Sequence, residues 1–245
     1  SIGELRAKWH REDASLQPDD FTVSRFGGCL HRQAEATGFF RVEQVEGRWW
    51  FVDPDGCLFF STGVDCVTPW MSTRVQGRED VFATLPPEST RPPRRWTGES
   101  AGASHYASNV ARRHGEEWKA AWMDMAIRRM DAWGLNTIAN WSDSDLFDLG
   151  RKAYTVTTSG WGIGQAPMGF VDVYADDFEE SVDAAAARQC APRKHDPWML
   201  GYFVGNEPPW PGREAQLAEM ILSGAETPMR REMRAYLADD DTPGR

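Results

Sequence analysis

The sequence predicts an α/β fold: a parallel sheet with helices outside it, preceded by a β-hairpin. Three observations point there. Short apolar runs alternate with helical segments from about residue 57 onward, the pattern of successive βα units. Ahead of them, two strand-like runs flank a Glu46-Gly47 turn signal. Polar or aromatic residues end each predicted parallel strand, which is where (β/α) barrels carry their chemistry. No Gly-rich phosphate loop follows the first strand, which speaks against a dinucleotide fold.

In chain order, residues 1–36 are polar and weakly patterned and read as an N-terminal extension. Residues 39–45 alternate apolar and polar, and 49–52 resume as the second hairpin strand, with Trp49 and Trp50 as packing for the hairpin. Asp53-Pro54-Asp55-Gly56 is a turn, with Pro and Gly each suited to a turn position. The run CLFFSTGVDCV over 57–67 is mostly apolar or small, as in a strand buried on both faces. Residues 68–115 are rich in Pro, Arg, Gly and Ser and read as a long loop. Residues 116–133 form an amphipathic helix whose core stripe is Trp118, Trp122, Met125, Ala126, Met130 and Trp133; Gly134 stops it.

The second strand, 135–139, closes on Asn140-Trp141-Ser142-Asp143, with Asp143 placed to cap one or two helical turns over 144–150. The third strand, 153–158, is rich in β-branched residues. A Gly- and aromatic-rich loop over 159–175 leads to a helix over 177–190, ended by Ala191-Pro192. The fourth strand, 198–206, runs into Glu207-Pro208-Pro209-Trp210. Residues 213–223 and 229–237 are helical.

Composition excludes some functions. With 27 Lys and Arg against 37 Asp and Glu, the net charge is −10. Nucleic acid and an anionic membrane surface are therefore not expected partners. No apolar run approaches the roughly 20 residues that cross a bilayer. The four cysteines form no CxxC pair and read as buried small hydrophobes; no metal site and no cofactor are expected. The 12 Trp residues are a heavy load, and a Trp face stacks on the C–H face of a sugar ring as readily as it fills a core.

The segments TGFFRVEQVEGRWWFVDPDGCLFFSTGVDCV, WGLNTIANWSD and DPWMLGYFVGNEPPW, in that order, resemble the β-agarases. The likeness is strongest to glycoside hydrolase family 50 and its relatives in clan A, and covers residues 37–212. It implies a (β/α)8 TIM barrel, represented here by roughly its first half, strands 1–4, in a domain over 37–245. It also implies retaining hydrolysis of a β-linked galactan such as agarose, with Glu207 as general acid/base and Asn206 bonding the sugar 2-hydroxyl. Asn140, Trp141, Asp65, Trp161, Asp172 and Trp210 lie at strand ends or in strand-end loops and are the candidate substrate contacts.

The clan's nucleophile is a Glu ending strand seven. A βα repeat takes about 30 residues or more, so four further strands do not fit after Glu207. The expectation is a fragment without its nucleophile, inactive and of low stability by itself. The partner is a poly- or oligosaccharide, with oligomeric state left open, and the resemblance implies an extracellular or periplasmic location. Two alternatives stay open: another clan A glycosidase, such as a β-galactosidase or β-mannanase, or a non-catalytic carbohydrate-binding half-barrel.

Overall fold

A computed structural model describes residues 1–18, 21–93, 102–158, 167–207 and 209–239. The chain divides into two units. The first comprises 1–156 with 197–201, the second 157–196 with 202–245.

The first unit opens on helix α1 (Ile2–Ser15), where the sequence shows only a polar extension. Ser1 and Glu4 make a reciprocal capping box at its start. Ion pairs rather than an apolar stripe tie it down: Arg129 to Glu12 at 2.6 Å, and Arg113 to Asp13 at 2.6 Å. That is why hydrophobic periodicity does not reveal it.

Strands β1 (Cys29–Gln33), β2 (Arg41–Val45), β3 (Arg48–Val52) and β4 (Cys57–Phe59) form an antiparallel sheet in the order β1-β4-β3-β2. The expected hairpin is β2–β3, with Val45 opposite Arg48 and positive φ at both Glu46 and Gly47. Asp53, fully buried, holds the following turn: its carboxylate accepts from the Asp55 and Cys57 amides and from the Ser24 hydroxyl. Trp50 is half-buried, but Trp49 is 70% exposed, on the same face as the exposed Val42 and Phe51.

The apolar run over 57–67 is not one strand. It divides into β4, which ends the antiparallel sheet, and β5 (Gly63–Val64), which starts the parallel one. The crossing is fixed by polar contacts: the Thr62 amide donates to Asn136 Oδ1 at 2.8 Å, and the Ser61 and Thr137 hydroxyls lie 2.9 Å apart. Gly63 is needed here because a Cβ would collide with the Thr137 carbonyl oxygen.

The second sheet has the order β10-β9-β8-β5, with β8 (Thr137–Ile138), β9 (Ala153–Thr158) and β10 (Met199–Val204). It is a four-stranded parallel sheet; β5 pairs with β8 and β8 with β9 in register. A (β/α) order thus holds, while the sheet is open-edged at β5 and β10. The expected burial of the fourth strand is corrected: Tyr202, Phe203 and Val204 at the end of β10 are exposed, in keeping with its place at the sheet's edge.

Between β5 and β8 the expected loop carries more structure than its composition suggests. The short strands β6 (Thr73–Arg74) and β7 (Gly102–Ala103) pair, and helix α2 (His105–His114) follows, capped by Ser104. The buried face of α2 is small and partly polar (Ala107, Ser108, Val110). Helix α3 (Trp118–Ala132) is the expected amphipathic helix, closed by Schellman bonds from Leu135 to Met130 and from Gly134 to Asp131. Its core face takes in Ile127, while Trp133, expected in the stripe, is 61% exposed because it lies beyond the last helical turn. Trp70 meets Trp118 edge-on at 5.5 Å, and Phe147 stacks on the fully buried Tyr154 at 4.2 Å.

His114 ends α2 with its Nε2 buried and unbonded among the described residues. Burial is the main cause pushing its pKa below the usual histidine value; the Arg113 charge adds to this, and Asp13 opposes it. The unfolded chain therefore takes up this proton first as pH falls below about 6.5, and stability falls with it. We expect His114→Gln to flatten the loss of stability between about pH 7 and pH 5, as read from urea midpoints. An unchanged slope would contradict this.

In the second unit, α4 (Phe178–Gln189), α5 (Glu214–Ser223) and α6 (Pro228–Ala238) match the expected helices. Leu217, Ile221 and Met229 form a small apolar cluster with Phe170, Trp210 and Met233 against it. The reading of all four cysteines as buried is corrected: Cys57 is buried and Cys190 half-buried, but Cys29 and Cys66 are exposed, and all four are free. Among the described residues no helix is long and apolar enough to cross a membrane.

Candidate functional site

The candidate residues group by unit. In the first unit, Asp65 follows β5, and Asn140 and Trp141 follow β8, so three of them leave adjacent parallel strands at the same end. The Cys66 amide donates to the Asn140 carbonyl at 2.9 Å and ties the two strand ends together. Asn140 is buried; its Oδ1 accepts from the Thr155 hydroxyl on β9 at 2.9 Å, which locks the amide's orientation. Asp65 is exposed. Trp141 is 42% exposed and sits at φ 57°, in the left-handed region that residues with a side chain seldom adopt.

Beneath this edge lies a buried polar cluster that the sequence does not reveal. The Val67 amide donates to Ser142 Oγ at 3.0 Å, and the Asp143 amide donates to the Val67 carbonyl. Asp143 is fully buried. Its carboxylate accepts from Trp70 Nε1 at 2.7 Å, from Lys119 Nζ at 3.0 Å and from the Asp145 amide at 3.2 Å. The last bond caps a 3-10 helix over Ser144–Leu149. Asp143 therefore fixes the loop that presents Asn140 and Trp141.

In the second unit, Asn206 and Glu207 leave β10 and are exposed. The turn is anchored to the end of β9: the Gly205 amide donates to the Thr158 carbonyl at 2.9 Å, and the Thr158 hydroxyl donates to the Phe203 carbonyl at 3.0 Å. Gly205 has φ 76° and Glu207 φ 38°. The first is conformationally free for Gly; the second carries strain of roughly 1–2 kcal/mol for a residue with a Cβ. Such strain persists only where the surroundings hold it, and it clusters at working sites.

Asp172 is buried and its carboxylate is used locally. It accepts from the Tyr174 amide at 3.1 Å and from the Met229 amide at 3.1 Å, capping the first turn of α6. Trp210 is half-buried and meets Phe170 edge-on at 5.7 Å. Trp161 lies outside the described residues. The hydroxyl of Tyr202 donates to the Cys190 carbonyl at 3.0 Å, and burial pushes its pKa up. Among the described residues no group of three or more His, Cys, Asp or Glu is placed to hold a metal ion.

No family model matches the chain. It is 31% identical to β-agarase B of Vibrio sp. (strain JT0107) over 254 residues, covering 86% of this chain and 26% of that protein. It is 29% identical to β-agarase A of the same strain, covering 72% of this chain and 20% of that protein. The chain thus spans about a quarter or less of the length of these curated relatives. Among solved structures it resembles an exo-β-agarase with TM-score 0.77 at 23% identity, over 97% of this chain and 41% of that one. It resembles the agarase AgWH50C with TM-score 0.74 at 24% identity, over 92% and 39% of the two chains. At these identities the structural likeness shows the fold alone.

Proposed function

We propose that this chain belongs to the β-agarase-like glycoside hydrolases of family 50 and clan A, as the N-terminal half of a (β/α)8 barrel acting on agarose or a related β-linked galactan. The observation that carries the reading is Asn206-Glu207 leaving a parallel strand in a chain similar to two β-agarases.

Glu207 is the general acid/base of a retaining reaction. It protonates the leaving glycosidic oxygen as a second carboxylate attacks the anomeric carbon, then takes a proton from the water that releases the sugar. The two carboxyl groups of such a pair lie roughly 5–5.5 Å apart. The chain covers about a quarter of β-agarase B, and the proposed second carboxylate comes from outside the matched part. Asn206 bonds the sugar 2-hydroxyl, a contact that strengthens as the ring flattens toward the transition state.

Within the first unit, Asp65, Asn140 and Trp141 offer sugar contacts, the first two as hydrogen-bonding groups and Trp141 as a stacking face. Asp172, whose carboxylate caps α6, contributes by holding the Trp210 neighbourhood in place. The resemblance to the β-agarases implies an extracellular or periplasmic location.

The full-length protein is expected to release reducing ends from agarose and to leave mannan intact. Release from mannan but not agarose would overturn the substrate, and release from neither would overturn the hydrolase reading.

A further inference from the structure

The second unit contains a groove of about 420 Å³ bounded by the segment around Phe170–Tyr174 and by helices α5 and α6. That size falls within the range of small-ligand sites. Its floor is the apolar cluster of Leu217, Ile221, Met229 and Met233. Its rim is of different chemistry: the rings of Tyr174, Trp210 and Tyr236, and the carboxylates of Glu214 and Glu232. Tyr174 is 54% and Tyr236 60% exposed, beside an already packed floor.

The walls narrow the choice of occupant. No Lys or Arg lines the groove among the described residues, and two carboxylates do. Bonds from its own backbone amide and from the Gly212 amide, which donates at 2.8 Å, lower the pKa of Glu214. An anionic ligand would meet repulsion here, in a chain already at −10. A purely apolar occupant would cover the carboxylates and strip their water without offering donors. A neutral sugar satisfies both demands, since its C–H face stacks on an aromatic ring and its hydroxyls donate to carboxylates. Trp210 also lies three residues after Glu207, so the groove opens in the same β10–α5 connection that carries the candidate acid.

We propose that this groove is an accessory subsite for a neutral saccharide segment, with Tyr174, Trp210 and Tyr236 as stacking faces and Glu232 as a hydroxyl acceptor. The proposal rests on the glycosidase reading and adds to it a second contact zone, which only a long substrate reaches. Binding remote from the reacting bond then raises affinity with chain length and leaves short substrates unaffected.

The test is calorimetric titration of the full-length protein with short and long neutral agaro-oligosaccharides. The double variant Tyr174→Ala/Tyr236→Ala is expected to lose roughly tenfold in affinity for the long probe and less than about twofold for the short one. Tyr236→Phe keeps the ring and should bind as the wild type does, and Glu232→Gln should lose part of the affinity for the long probe only. A double variant that binds the long probe like the wild type, or loses both probes alike, overturns the subsite. If that happens while the wild type still cleaves agarose, the glycosidase reading stands and the groove alone is wrong. If the wild type neither binds nor cleaves any of these galactans, both fall.

Discussion

Glu207→Gln in the full-length protein is expected to keep polysaccharide binding and to lose turnover by roughly 10²–10⁴-fold, the usual contribution of a positioned acid/base. The amide is nearly the shape of the carboxyl group, so sugar contacts survive while proton transfer does not. The effect depends on the leaving group. A natural sugar alkoxide needs the proton, so its cleavage should be slowed most. An aryl galactoside with an acidic phenol does not, so its first step should be nearly unaffected and the second, which needs base assistance, becomes limiting. A burst of phenol followed by slow turnover is the expected signature. Uniform loss on both substrates would point to a structural role for Glu207.

The second large effect concerns stability. Asp143→Ala removes a fully buried carboxylate that accepts from Trp70, Lys119 and the Asp145 amide. The variant leaves the Trp70 N–H buried without its acceptor and removes a cap from the 3-10 helix. Breaking a buried pair by deleting one partner typically costs about 3–5 kcal/mol. Lys119 keeps a second partner in Asp145 at 2.7 Å, which argues for the lower end, about 3 kcal/mol. For a domain of this size that lowers the melting midpoint by roughly 6–12 °C. Asp145→Ala breaks the exposed half of the same network and should cost less than about 1 kcal/mol. Equal losses in the two variants, measured by calorimetry, would contradict the assignment.

The parts of the fold legible in the sequence are those where one local pattern decides the outcome. Strand β9 has the expected bounds because Ala153–Thr158 is a compact β-branched run between turn signals. Helix α3 follows from its Trp and Met stripe. The β2–β3 hairpin follows from Glu46-Gly47.

What was missed is held by contacts distant in sequence. Helix α1 is tied by arginines about a hundred residues away. The division of the 57–67 run depends on Asn136 and Thr137, which lie 74 and 76 residues from their partners. The α2 face is built of small residues (Ala107, Ser108, Val110) within a segment whose Pro, Arg, Gly and Ser content reads as loop.

The same holds for the candidate residues. The strand-end positions of Asn206-Glu207, Asn140 and Trp141 were legible. The Asp143–Trp70–Lys119 cluster behind Asn140 and Trp141 was not, since it joins residues 73 and 24 positions apart. Only the capping role of Asp143 could be read locally. Asp172 likewise stood in the sequence as a loop carboxylate, while in the fold it caps a helix 57 residues downstream.

The most direct test of the central claim is azide rescue. Azide is an anionic nucleophile that needs no general base, so it should restore the second step in Glu207→Ala full-length protein acting on an activated aryl β-galactoside. Turnover is expected to rise with added azide, giving a galactosyl azide product of β configuration, identified by NMR. No rescue, with no sugar azide formed, would contradict Glu207 as the acid/base of a retaining glycosidase.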